Sequence, residues 1–142
     1  VLLLIHLAAT LYMAGVIWFV QLVHYPLFAM TGAEGFAAYA GAHQQRTGWV
    51  VMLPMMVELG SAALLLWMPP ARVPYAAVVA GLLLAVGIWA STFLWQVPEH
   101  ARLSTGFDAA AIHRLVSTNW IRTVGWTLRA GLALWFVARQ MR

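Results

Sequence analysis

Tyr75–Val97 reads YAAVVAGLLLAVGIWASTFLWQV and holds no charged residue. At about 1.5 Å per residue, a helix over it rises roughly 35 Å, enough to cross a hydrocarbon core of about 30 Å. A stretch this long and this apolar predicts a transmembrane helix. Three more spans follow the same rule, giving spans at about 2–24, 46–68, 75–97 and 118–139. The first is almost uncharged, the second carries Glu58, and the fourth carries Arg122 at its edge and Arg129 inside. The first span is too long for a cleavable signal peptide and lacks a basic segment before it. The chain opens at Val1 rather than Met, which implies a short preceding segment.

Composition agrees. The 142 residues are 63% hydrophobic and only 8% charged, where a soluble domain averages about 25% charged. That argues against a soluble enzyme, a nucleic-acid binder or a disordered chain. There is no cysteine, so disulfide scaffolds, thiolate catalysis and Cys-ligated clusters are excluded. The net charge of +4 comes from arginine without lysine. In so apolar a chain it points to anionic lipid headgroups rather than to nucleic acid.

The predicted fold is therefore all-α, an integral membrane four-helix bundle forming a single domain over 1–142. Side B denotes the membrane face where the chain begins. Pro69-Pro70-Ala71-Arg72-Val73-Pro74 turns spans two and three there. On side A, loops at 25–45 and 98–117 join the other spans, long enough to hold interfacial helices. These two segments share an order of Pro, Gly-Phe, Ala-Ala, His, Arg-Thr and Gly-Trp. That order suggests two parallel helical-hairpin repeats, with His43 matched to His113 and Arg46 to Arg122. Arg72, Arg139 and Arg142 lie on side B without an acid, which favours cytoplasmic termini.

Polar residues within the spans recur at helical spacing: His6, Thr10, Gln21 and His24; His43, Thr47, Pro54, Glu58 and Ser61; Thr92, Gln96 and Glu99; Asn119, Arg122 and Arg129. Such stripes avoid lipid and point into the bundle. A mid-bilayer charge costs at least about 2.5–3.5 kcal/mol. Glu58 and Arg129 are therefore expected to form an intramembrane ion pair, direct or through water. Their depths differ by about six residues, or roughly 9 Å, most of which an extended arginine can span. The pair would either fix helix packing or line a path for substrate or protons.

His24, His43, His100 and His113 all fall on side A. Four imidazoles at one end of a bundle could ligate haem or a metal, with Glu99 adding a carboxylate. Equally, interfacial histidines hydrogen-bond loop backbone and headgroups. No standard metal-ligand spacing is present. The eight tryptophans form an aromatic belt, from which Trp18 and Trp126 could wall a flat aromatic ligand.

Two stretches carry a family likeness. Gln96-Val97-Pro98-Glu99-His100-Ala101-Arg102-Leu103 follows the third span, and Asn119-Trp120-Ile121-Arg122-Thr123 opens the fourth. These resemble a family of small four-helix bacterial and fungal membrane proteins that includes the anthrone oxygenases of aromatic polyketide pathways. Pro26-Leu27 fits more loosely. The chain departs from the family where Glu99 and His100 stand in place of Asn. The resemblance implies an oxygenase-like function, with Asn119 and Arg122 as signature positions, in a bacterial inner membrane.

Three readings follow. The first is a small oxidoreductase or oxygenase-like protein acting on a hydrophobic molecule. His24, Asn119 and Arg122 would be its catalytic residues, and His24, His43, His100 and His113 its cofactor ligands. The second is an accessory subunit of a larger respiratory or photosynthetic complex, or a homo-oligomer. The third is a small transporter using Glu58.

Overall fold

The computed structural model describes residues 1–142, and four helices account for most of them. They are α1 (Leu2–Phe28), α2 (Phe36–Trp67), α3 (Tyr75–Leu103) and α4 (Ala109–Gln140). The first three are long and apolar enough to cross a membrane. The more polar α4 turns Asn119, Arg122 and Arg129 inward while Ile121, Val124 and Leu128 face out.

Each helix packs on its sequence neighbours, and α4 closes the ring against α1. That leaves α1 and α3 on one diagonal and α2 and α4 on the other. Two glycines bring α3 and α4 close. A Cβ added at Gly125 would lie 2.8 Å from Ile88 Cγ1, and one at Gly81 would lie 3.3 Å from Leu132. Small residues at such contacts let helix backbones approach without a driving force from lipid exclusion.

The side A connections are much shorter than the sequence pattern suggested. Residues 29–35 and 104–108 suffice, and helix occupies most of 25–45 and 98–117. The reason lies at Pro26 and Pro98. A proline inside a helix leaves a carbonyl unpaired and clashes with the preceding turn. Here each proline is preceded by a π-turn, Val20–His24 in α1 and Thr92–Gln96 in α3. The N–H groups of Tyr25 and Val97 donate to the carbonyls five residues back, Val20 and Thr92. This wider turn absorbs the proline, so both helices continue past it. Asp108 then caps α4, its Oδ1 accepting from Ala111 N–H at 3.0 Å.

The core is layered along the bundle axis. An aromatic layer at side A includes Tyr25, Phe28, Phe36 and Leu115. A middle layer holds Met13, Ile17, Met55, Ile88 and Trp126. A side B layer holds Leu65, Val73, Val78 and Phe136. Buried polar groups fill the two gaps between these layers, while large apolar side chains such as Leu22, Leu53, Leu83 and Phe93 face outward. Polar inside and apolar outside is the reverse of a soluble domain and suits a bilayer.

Candidate functional site

The polar layer nearer side B is built around Glu58, which is completely buried. Arg129 of α4 reaches across the diagonal to pair with the Glu58 carboxylate and donates to the Gly81 carbonyl of α3. Thr10 Oγ1 of α1 donates to Glu58 Oε1 at 3.5 Å. His6 Nδ1 lies 2.9 Å from Ser61 Oγ, whose hydroxyl donates to the Glu58 carbonyl at 3.1 Å. All four helices thus meet at one ion pair. No large cavity reaches Glu58 or Arg129.

The polar layer nearer side A is different, because it borders open space. His24 of α1 and His43 of α2 are in direct contact, with Nε2 and Nδ1 2.6 Å apart. The Thr47 hydroxyl lies 3.1 Å from the same His43 Nδ1. Across the other diagonal, the Tyr25 hydroxyl lies 2.9 Å from His100 Nε2. The His43 and His100 rings sit 5.3 Å apart, centroid to centroid. The π-turns position these groups. Each one shifts the helical phase just before Tyr25 or His100, so those side chains swing inward where an unbroken α-helix would aim them elsewhere.

Below the imidazoles lies an amide network. Asn119 Nδ2 donates to Gln21 Oε1 at 2.9 Å, and Thr123 Oγ1 donates to the same oxygen at 3.3 Å. Gln21 Nε2 donates to the Val116 carbonyl at 3.2 Å. Asn119 Oδ1 accepts from Arg122 NH1 at 3.3 Å, holding the guanidinium in place. Gln96 Nε2 donates to Thr118 Oγ1 at 2.9 Å.

A cavity of about 280 Å³ opens beside this cluster. Its inner wall includes Tyr25, His43, Gln96, His100 and Arg122, and its outer part passes Met52, Trp89 and Phe93 between α2 and α3. Met52 and Phe93 are outward-facing, so the mouth opens sideways, towards the lipid in a bilayer. Four buried polar atoms of lining residues have no partner: His43 Nε2, Gln96 Oε1 and Arg122 Nε on the inner wall, and Trp89 Nε1 further out. Each unmade bond costs about 1–3 kcal/mol, and four around one cavity mark a place for a polar guest.

The candidate residues therefore separate. The fold brings together His24, His43, His100, Asn119 and Arg122. It leaves His113 exposed on the outer face of α4, so the His43–His113 equivalence does not extend to the site. Arg46 is exposed while Arg122 is buried. Glu99 is turned away from the imidazoles, bound by Arg114 Nε at 2.8 Å and NH2 at 3.1 Å. Trp126 is sealed in the middle layer, and Trp18 donates to Thr127 Oγ1 at 3.0 Å. Neither walls the cavity; Trp89 and Phe93 do.

The four side A histidines do not gather into one ligand set, since His113 stays on the outer face. No group of three or more His, Asp or Glu side chains has ligand geometry. His24 Nε2 and His100 Nε2 already face His43 and Tyr25, and His43 Nε2 is the buried imidazole nitrogen of the cavity lining without a partner. The cavity also falls just below the roughly 300–1,000 Å³ of drug-sized sites. Tyr25 and Thr47 complete the cluster without having been marked as site residues. Their signal was position beside the π-turn and one turn beyond His43.

Fold and site together define a membrane-embedded all-α bundle with a buried imidazole–amide–guanidinium site. No protein-family model, curated protein or solved structure matches this chain.

Proposed function

We propose that the protein binds a small, membrane-dissolved ring compound bearing a carbonyl or phenolic oxygen and removes a proton from it, as an oxygenase-like enzyme. On this reading α4 spans the bilayer with the other three helices. The observation that carries it is the set of partnerless atoms on the inner wall of one laterally open cavity: a histidine nitrogen, an amide oxygen and a guanidinium nitrogen. The aromatic and methionine walls suit a flat apolar body, and the polar end suits one or two oxygens.

The roles follow from the chemistry. If His43 Nδ1–H donates to His24 Nε2, the lone pair of His43 Nε2 faces the cavity and serves as a general base. His24 holds that tautomer and stabilises the imidazolium that forms. Arg122, anchored by Asn119, stabilises the oxyanion of the resulting enolate. Gln96 Oε1 accepts from a ligand hydroxyl. The resemblance to the anthrone oxygenases suggests an enolisable ring ketone. Dioxygen adds to the deprotonated ring carbon, the His43 imidazolium returns its proton to the peroxide so formed, and loss of water with cleavage of the O–O and remaining C–H bonds leaves the quinone.

The test uses anthrone in proteoliposomes, with dioxygen uptake as readout. The wild-type protein should accelerate uptake, and His43→Ala should remove the acceleration. Arg122→Gln should lower it about 10²–10³-fold, as loss of an oxyanion donor does. Unchanged rates in both variants would sink the enzymatic reading and favour an accessory subunit, which would co-purify with larger partners.

A further inference from the structure

On the opposite side of the His24–His43 pair from the cavity, α1 and α2 enclose a second space. It encloses about 420 Å³, with Gly15, Val16, Phe19, Val20 and Val50 forming its apolar walls. It continues past His24, Arg46 and Thr47 into a depression of about 320 Å³. Gly15 lies at the inner end, where the space is open: a Cβ there would meet nothing within 4 Å. From Gly15 to His24 the helix rises about 13 Å, close to one leaflet's share of a roughly 30 Å hydrocarbon core.

The polar end of this groove is cationic and unneutralised. Arg46 is exposed and has no ion pair. No acidic residue lines either part of the groove. Thr47 and the half-buried His24 add donors beside it, and His24 Nδ1 makes no hydrogen bond within the protein. The occupant must therefore be apolar along one leaflet's depth and anionic at one end.

We infer that this groove is a binding site for an anionic phospholipid, with one acyl chain along Gly15 to Val20 and the phosphate at Arg46, Thr47 and His24. A phosphate oxygen accepting from His24 Nδ1–H leaves His24 Nε2 as an acceptor. That fixes His43 with its proton on Nδ1 and its lone pair towards the cavity. The lipid would thus set the protonation pattern of the pair, a consequence that rests on the role proposed for His43. Lipid retention itself does not rest on it.

The experiment measures lipid retained per chain after mild-detergent extraction from bilayers of equal phosphatidylglycerol and phosphatidylethanolamine. Wild type should retain phosphatidylglycerol in about fivefold preference, the effect of one well-placed basic residue near anionic lipid. Arg46→Gln should bring the two lipids to parity, while Arg142→Gln at the C-terminus should change nothing. Gly15→Leu should expel the acyl chain and lower retention of both lipids, and Gly15→Val serves should the leucine variant fail to insert. Equal retention by wild type, or a preference that survives Arg46→Gln, overturns the proposal. So does equal loss in Arg142→Gln, because that is the behaviour of a diffuse surface charge. Loss of anthrone-dependent uptake in His43→Ala with lipid retention intact separates the two readings.

Discussion

At the residue scale, the Glu58–Arg129 pair shows most directly how a charge survives in this bundle. Both side chains are almost fully buried, and their partners are each other, Thr10 and the Gly81 carbonyl, while Glu58 Oε2 and Arg129 Nε have none. Removing one partner strands a charge where no water reaches. Arg129→Met should therefore destabilise the fold by about 3–5 kcal/mol, and adding Glu58→Met should recover most of that loss. Unfolding in mixed detergent micelles measures both. If the single and double variants prove equally unstable, the pair is not the source of the cost. The sequence showed that two mid-span charges must meet, because lipid forbids the alternative. Which histidines share a site was less legible. Periodicity gives a face only while the helical phase is unbroken, and the π-turns break it just before Tyr25 and His100.

At the element scale, the π-turns and the close α3–α4 contact make distinct demands. A π-turn is an α-helix with one residue in excess. Pro26→Ala removes the clash that the wider turn absorbs, so the turn should close to α geometry with no residue lost, rotating His24 and Tyr25 out of register and leaving total helicity unchanged. Circular dichroism should then match wild type while dioxygen uptake with anthrone disappears; retained uptake would mean that the π-turn does not position the site. The glycine contact predicts the opposite pattern. Gly125→Leu should destabilise the bundle by about 1–3 kcal/mol through overpacking, and Ile88→Ala should partly relieve it. Thermal unfolding of the two variants and their combination reads this. Pro26 and Pro98 looked like helix ends in the sequence because proline ordinarily stops a helix. Their compensation by a wider turn is a backbone arrangement that side-chain pattern alone does not announce.

At the scale of the whole molecule, two buried polar layers are held apart by a dry one. Met13, Ile17, Met55, Ile88 and Trp126 separate Glu58 from the imidazole cluster. A transporter needs polar or water-filled continuity from side to side, and this layer interrupts it. Proteoliposomes loaded with a pH-sensitive dye should accordingly show no proton leak that Glu58→Gln alters; a Glu58-dependent leak would show that the layer opens. The all-α membrane bundle was readable from span length and charge scarcity. The sideways cavity was not, since it depends on how α2 and α3 diverge around Trp89 and Phe93.

On the function proposed, His43 takes a proton from a ring compound held between α2 and α3. Anaerobic anthrone tests it without any oxidation step, because the enolate absorbs at longer wavelength than the ketone. Wild-type protein titrated with anthrone under nitrogen should develop the enolate band, saturating at one ligand per chain, and His43→Ala should bind without developing it. An absent band in wild type, or the same band in His43→Ala, would contradict the assignment of His43 as the base.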